Sequence, residues 1–296
     1  MEKLPLVSVV MIAYGHEKFI EEAINSVLMQ ECDFKIELIL ANDASPDNTD
    51  FIIQNILKSH QRASIIKYIK HEQNMGMMPN FIFALQQGKS KYIALCEGDD
   101  YWIDPLKLQK QVNFLEENDD YSICTHVSKE INEIMNTKHV FPSINENTIK
   151  TIEDYIISNH TATCSMLFKS EYFKPLPHWF KKVNFGDWGL VLILFYKSNK
   201  NMMILNDCMG IYRVHSGGIH GVLKNNNLSL IKAYKQHIKF FNVIKKNLLF
   251  EKKYRKHIFK KYSESYKKLM NLNKKEKKMY NYYKFKLLSM FYDLKI

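Results

Sequence analysis

The stretch Lys91-Tyr92-Ile93-Ala94-Leu95-Cys96-Glu97-Gly98-Asp99-Asp100-Tyr101-Trp102 decides how this chain is read. An apolar run of strand length stops abruptly in three acidic residues around a glycine. Open α/β sheets bind ligands in the crevice outside the carboxyl ends of their strands. Glu97, Asp99 and Asp100 therefore fall where a ligand is held. Carboxylates this close repel one another unless a cation sits among them. Hard oxygen ligands suit Mg²⁺ or Mn²⁺. An ion held by one or two carboxylates, with the rest of its shell open, suits a nucleoside diphosphate.

Outward from this turn, strand and helix signals alternate. Leu6 to Ala13 is too apolar for a half-exposed strand and reads as a buried parallel one. Ile20, Ala23, Ile24, Val27 and Leu28 keep the i, i+3, i+4 spacing of a helix. Residues 36–41 read as a second strand, 42–48 as a turn, and Phe51, Ile52, Ile56 and Leu57 mark a second helix. A short strand over 64–69, a loop around Gly76 and a helix carrying Phe81, Ala84 and Leu85 lead into the strand 92–96. Pro105 suits the start of a further helix, and 121–127 reads as a strand. Residues 130–150 are polar and read as an exposed excursion, 187–198 as a helix and 202–214 as one or two strands. Such alternation predicts an α/β fold, with right-handed crossovers and a mostly parallel, Rossmann-like sheet flanked by helices.

With 296 residues, the chain can hold one large domain or a domain with an appendage. Its longest uninterrupted apolar run, Leu190 to Tyr196, is far short of the ~20 residues of a membrane-spanning helix. The apolar stretch from Val7 to Ala13 follows Glu2-Lys3 rather than a basic region, which argues against a signal peptide. Five scattered cysteines without a CxxC pair point to a reducing, cytoplasmic compartment, with neither a disulfide frame nor a zinc site. The net charge of +11 is uneven: residues 225–296 carry 20 Lys+Arg against 4 Asp+Glu. The last proline is Pro177 and the last glycine Gly221. The expected division is therefore a body over 1–224, with a nucleotide-binding half to about residue 130 and a less regular half over about 131–224, which the family resemblance makes the acceptor half. A lysine-rich helical extension over 225–296 follows.

Four pieces of the body belong to one crevice: Pro5 to His16, Ala41-Asn42-Asp43-Ala44-Ser45-Pro46-Asp47-Asn48-Thr49, Asn74-Met75-Gly76 with Pro79-Asn80, and the acidic turn. In a parallel sheet each falls at a strand's carboxyl end or in the loop after it. This ordered set resembles the family 2 glycosyltransferases of GT-A fold, over roughly Leu4 to His215. The resemblance implies a nucleotide-sugar-dependent, metal-dependent, inverting enzyme. It also implies that Ala13 and Tyr14 cradle the base, that Asp43 contacts a uracil or pyrimidine, and that Asn74 and Gly76 line the nucleotide pocket. Glu97 stands at the first position of the family's Asp-x-Asp motif and Asp99 at the second. Asp99 is then the metal ligand, with Glu97 and Asp100 toward ribose and donor sugar. Three departures stand out: Ala13-Tyr14-Gly15-His16 lacks the family's proline, Asn42-Asp43-Ala44-Ser45 replaces Asp-Asp-Gly-Ser, and Glu97 is one methylene longer than Asp.

Two later signals extend the resemblance. Phe185-Gly186-Asp187-Trp188 precedes an apolar helix, where the family carries its catalytic base in an Asp-Trp or Asp-Tyr pair. Asp187 is the implied base, and Trp188 offers a stacking face to an acceptor. Tyr212-Arg213-Val214-His215 resembles the family's Tyr-Arg-x-His ending, with His215 a metal or pyrophosphate ligand and Arg213 a charge partner. The segment 160–168 resembles a strand behind the acceptor site, with Thr163 facing the sugar. Each residue also has a plainer reading. Asp43 and Asp187 suit helix caps, Tyr14 core packing, and His16, His71 and His220 surface or structural positions.

The implied activity is transfer of a hexose or N-acetylhexosamine, from a UDP-linked donor in the first instance, to a glycan or lipid-linked glycan in surface polysaccharide assembly. A nucleotidyltransferase is the alternative, but residues 8–16 hold one glycine and no lysine or arginine for a triphosphate loop. A non-catalytic nucleotide- or sugar-binding module is another. For the basic extension the readings are an anionic membrane surface at the inner face of the membrane, a homodimer contact, or a solvated appendage. No nucleic-acid motif accompanies it, so no nucleic acid is expected.

Overall fold

The structure is a computed structural model describing residues 6–218, 227–248 and 251–296. Its first half builds β1 (Val7–Ala13), α1 (Ile20–Leu28), β2 (Ile36–Asn42), α2 (Thr49–Ser59), β3 (Ile66–Lys70), α3 (Met77–Gln87) and β4 (Tyr92–Leu95). β1 pairs in parallel with β2 and β4, and β2 with β3. β1 is covered on both faces. Val7, Val9 and Met11 pack against α1, while Val10 packs against α3. That double burial is why the strand is apolar apart from Ser8, whose hydroxyl is hydrogen-bonded to Glu37 and Ser90.

Beyond the acidic turn come β5 (Tyr101–Trp102), α4 (Lys107–Glu117), β6 (Tyr121–Asn132), β7 (Thr137–Phe141), β8 (Thr148–Lys150), α5 (Ile152–Ile157), β9 (Leu167–Lys169), α6 (Gly186–Ser198) and β10 (Asn201–Val214). The sheet runs β3-β2-β1-β4-β9-β6-β10-β5, with β7 on β6 and β8 on β10. It is mixed rather than mostly parallel, because β9 inserts antiparallel between β4 and β6, and β5, β7 and β8 pair antiparallel at the far end. The polar 130–150 segment is not a plain excursion: it folds as an exposed hairpin of β6 and β7 followed by β8. Of the 160–168 segment only 167 and 168 are strand, the start of β9, and Thr163–Ser165 is a 3₁₀ turn. α4 begins at Lys107, two residues after Pro105, because Asp104 Oδ1 accepts the Leu106 N–H at 2.8 Å and holds the chain in a turn first.

The basic extension forms α7 (Asn227–Asn247), α8 (Arg255–Lys275) and α9 (Met279–Asp293). The expected boundary at 224 and 225, and His220, lie outside the described residues. The extension is no appendage. Phe240, Phe241, Ile244, Ile258 and Tyr262 are buried in one cluster with α3 and α6. Each such side chain stabilises by about 1.5–3 kcal/mol, far more than any surface lysine pairing gives.

Behind the acidic turn, Lys107 is fully buried. Its Nζ lies 2.8 Å from Gln111 Oε1 and 3.9 Å from the centroid of the Trp102 ring. Burial pushes its pKa down to about 8, from 10.5. The unfolded chain therefore binds the extra proton between those values, and stability rises with pH across that window, by roughly 3 kcal/mol in all. Lys107→Met is expected to raise Tm at pH 7, with the gain shrinking toward pH 10. A pH-independent difference in thermal melts would contradict this.

Candidate active site

One side of the site is built from strand ends. The Asp43 N–H donates to Ala13 O at 2.9 Å, which ties the ends of β1 and β2 together. The Asp43 carboxylate then accepts the N–H of Met75 at 2.8 Å and of Gly76 at 2.9 Å. Asn74 Oδ1 accepts the same Gly76 N–H at 2.8 Å. Gly76 has φ +91°, a conformation side chains disfavour, and that turn starts α3. Asn80 fixes α3 to β2, its Nδ2 donating to Ala41 O at 3.1 Å while its Oδ1 faces His71 Nε2 at 3.0 Å. Tyr14 is half exposed at the cavity rim rather than packed in the core.

The acidic turn sits against β1. The Gly98 N–H donates to Ile12 O at 3.0 Å, and a Cβ at Gly98 would lie 2.8 Å from His16 Nδ1. Glycine is what lets the turn approach this closely. Arg213 clamps the turn: its backbone N–H donates to Asp100 Oδ1 at 2.8 Å and its guanidinium to Asp99 O at 2.8 Å. The guanidinium also pairs with Glu22 and lies 4.2 Å from the Tyr101 ring centroid. Arg213 is thus committed to holding the turn.

The three acids differ. Glu97 and Asp99 line a cavity of about 460 Å³. Asp100 does not face the donor sugar as expected. It is 1% exposed, with Oδ1 taken by the Arg213 N–H and Oδ2 buried beside the Cys164 thiol. Burial, with Asp100, Asp99 and Asp187 nearby, holds the Glu97 carboxyl well above the ordinary carboxylate range; the Thr163 hydroxyl partly offsets this. Burial and Asp99 raise Asp100 likewise. Burial also pushes Asp99 up, but the His215 hydrogen bond and the neighbouring His16 outweigh it and leave Asp99 below the ordinary range. His215 Nε2 lies 3.1 Å from Asp99 Oδ2, and His16 Nε2 lies 3.7 Å from the same oxygen.

Asp187 lies in the first turn of α6, where Phe185 rather than Asp187 is the N-cap. It lines the cavity, and Asn159 Nδ2 donates to its Oδ2 at 2.9 Å. The 157–159 loop is itself pinned from the extension: Lys261 Nζ on α8 donates to Ile157 O at 2.7 Å. Thr163 lines the cavity near Glu97. Trp188 does not offer its face to an acceptor. It is 5% exposed, donates Nε1–H to Tyr155 O at 2.7 Å, and packs on Phe240 and Phe241 of α7. Asn159→Ala is expected to lower kcat about tenfold to a hundredfold by loosening Asp187. Donor KM should stay within about twofold, and a donor-KM effect alone would remove the positioning role.

The cavity therefore gathers Ala13, Tyr14, Asp43, Asn74, Glu97, Asp99, Thr163 and Asp187, with Gly76 and His215 hydrogen-bonded to lining residues. It also gathers residues that sequence reasoning left out. His16 lies beside Asp99, and Tyr212 faces the carboxylates. Leu230, Ala233, Tyr234 and His237 of α7 form one wall. The helical stripe of Leu228, Ile231, Tyr234, Ile238, Phe241 and Ile244 signalled that α7 has a face to bury, but not against what.

Among the described residues, no group of three His, Cys, Asp or Glu side chains forms a metal cage. Asp99 and His215 nevertheless fit a divalent ion. Their Oδ2 and Nε2 are 3.1 Å apart, close to the ~3.0 Å between adjacent corners of an octahedron with ~2.1 Å bonds. Such ions commonly take one or two protein ligands and complete their shell with substrate phosphates and water.

Residues 8–176 match the sequence model of Glycosyl transferase family 2, more than half of the chain. The chain belongs to that family. Its match ends before α6, so Asp187, His215 and the α7 wall lie beyond the matched segment. Within the family, an uncharacterized protein of Mycobacterium tuberculosis is 31% identical over 213 residues, 72% of this chain and 60% of that protein. The chain thus spans about three fifths of that relative's length. S. aureus TarS in complex with UDP superposes with a TM-score of 0.61 at 16% identity, covering 88% of this chain and 72% of that one. A mannosyltransferase from Pyrobaculum calidifontis, in complex with GDP-Man and Mn²⁺, gives 0.57 at 15% identity, covering 80% and 65%. At these identities the likeness shows the fold, which is of the GT-A type.

Proposed function

We propose that this family 2 protein is an inverting glycosyltransferase. It moves a hexose or N-acetylhexosamine from a nucleoside-diphosphate sugar, UDP-linked in the first instance, to a hydroxyl of a glycan or lipid-linked glycan in surface polysaccharide assembly. The observation that carries this reading is one cavity holding both a nucleotide cradle, from Asp43 and Asn74, and a separate carboxylate at Asp187. UDP in the S. aureus neighbour supports the donor class, and Mn²⁺ in the archaeal one supports a divalent cation.

Asp187 takes the proton of the acceptor hydroxyl as that oxygen attacks the anomeric carbon. The new C–O bond forms on the face opposite the breaking bond to the diphosphate, so one displacement inverts the centre. Asp99 and His215 would hold a Mg²⁺ or Mn²⁺ ion, which would supply charge neutralisation for the leaving diphosphate. Asn159 holds Asp187 in place, and Arg213 keeps the acidic turn in register. The apolar α7 wall suits an acceptor with an apolar portion. A screen of UDP- and GDP-sugars tests the reading, scored by released nucleoside diphosphate and by the product's anomeric configuration. Turnover that persists in EDTA, or a retained anomeric configuration, would overturn it.

A further inference from the structure

Among the helices of the extension, α9 carries two apolar faces. One packs inward through Phe285 and the half-buried Tyr292, against α8. The other points outward. Tyr280, Tyr283, Leu287, Met290, Phe291 and Leu294 are all exposed, Leu287 by 69% and Leu294 by 88%. At 3.6 residues per turn these six fall within a band of about 100° opposite Phe285. Exposed lysines rim the band: Lys284 and Lys295 on one side and Lys286 on the other. A lone exposed leucine needs no explanation, but a continuous stripe of large apolar side chains marks an interaction surface.

We propose that this outer face of α9 docks on an anionic lipid bilayer. Charge complementarity selects the occupant. An apolar stripe flanked by lysines is what lies flat in the headgroup region of anionic lipid, the stripe in the acyl boundary and the ammonium groups among phosphates. A second copy of this chain would bring the same lysine rims together, within a segment already at 20 Lys+Arg against 4 Asp+Glu, and like charges across an interface oppose association. Because α9 is already folded against α8, docking requires no helix to form. The helix lies along the surface and does not cross: none of the described helices is long and apolar enough to span a membrane. This inference goes beyond the catalytic reading and stands if that reading fails.

The test is co-sedimentation of the full chain with vesicles of phosphatidylglycerol and phosphatidylcholine in equal parts, against phosphatidylcholine alone. Binding is expected only to the anionic vesicles and should weaken as salt is raised. Leu287→Asp with Leu294→Asp, and separately Lys284→Glu with Lys286→Glu and Lys295→Glu, should each weaken it at least tenfold. All five side chains are exposed, so thermal melts of both variants should match the parent. Equal binding by parent and variants would overturn the proposal, as would equal binding to both vesicle types or no binding. Sedimentation velocity without lipid gives the remaining arm: a dimer in the parent that Leu287→Asp dissolves assigns the face to a second copy and overturns the lipid surface.

Discussion

Asp187→Asn is expected to lower kcat by on the order of 10³-fold while leaving nucleotide affinity unchanged. General-base catalysis contributes roughly 10²–10⁴, and 10³ corresponds to about 4 kcal/mol of transition-state stabilisation. The substitution is close to isosteric. The new amide still presents an oxygen to Asn159 Nδ2, which now donates to Asp187 Oδ2 at 2.9 Å, so the loop keeps its anchor. What disappears is the capacity to accept the acceptor's proton. Steady-state release of nucleoside diphosphate gives kcat, and calorimetric titration with the diphosphate gives affinity. A kcat within tenfold of the parent would remove Asp187 as the base. A loss of nucleotide affinity would place it in donor binding.

Asp99→Asn is expected to uncouple nucleotide binding from the metal. In the parent, adding Mn²⁺ should tighten nucleoside-diphosphate binding, and EDTA should reverse it. In the variant the affinity should sit at the EDTA level in both conditions, with turnover lower by roughly 10²–10³, the usual cost of losing a charge-stabilising group. His215 then faces an amide in place of a carboxylate 3.1 Å away. Glu97→Gln serves as the contrast and should keep the Mn²⁺ response. An Asp99→Asn protein whose nucleotide affinity still rises with Mn²⁺ would move the metal elsewhere.

The nucleotide half was legible because its signals are local. β1 is apolar but for Ser8 since both its faces are buried, and each strand is followed by the polar turn that carries its site residue. The errors came from side-chain direction. Glu97 and Asp99, two residues apart, reach the cavity, while Asp100 turns the other way toward Cys164 and the Arg213 N–H. Adjacent helical residues differ by about 100°, so an Asp187 that faces the cavity sends Trp188 sideways onto α7. A sequence gives that rotation only once one of the two is placed. His16 looked like a loop residue, and nothing in its neighbourhood predicted that the turn at Gly98 would bring Asp99 to it. In the extension, the lysines obscured a packed core, because a charged stripe and a buried stripe share one helix.

The α7 wall has a consequence for how such enzymes diversify. Ala13, Asp43, Asn74, Glu97, Asp99 and Thr163 on the cavity wall come from the segment that matches the family, while Leu230, Ala233 and Tyr234 come from outside it. Two separate stretches of chain thus enclose one cavity, locked together where Phe240 and Phe241 of α7 pack on Trp188. On the proposed reading, changing the side chains of the α7 wall would alter the acceptor-facing surface and leave the nucleotide cradle in place. A cut at residue 224 would remove part of the reaction vessel along with the tail. On that reading, changes along the α7 wall offer new acceptors without new chemistry.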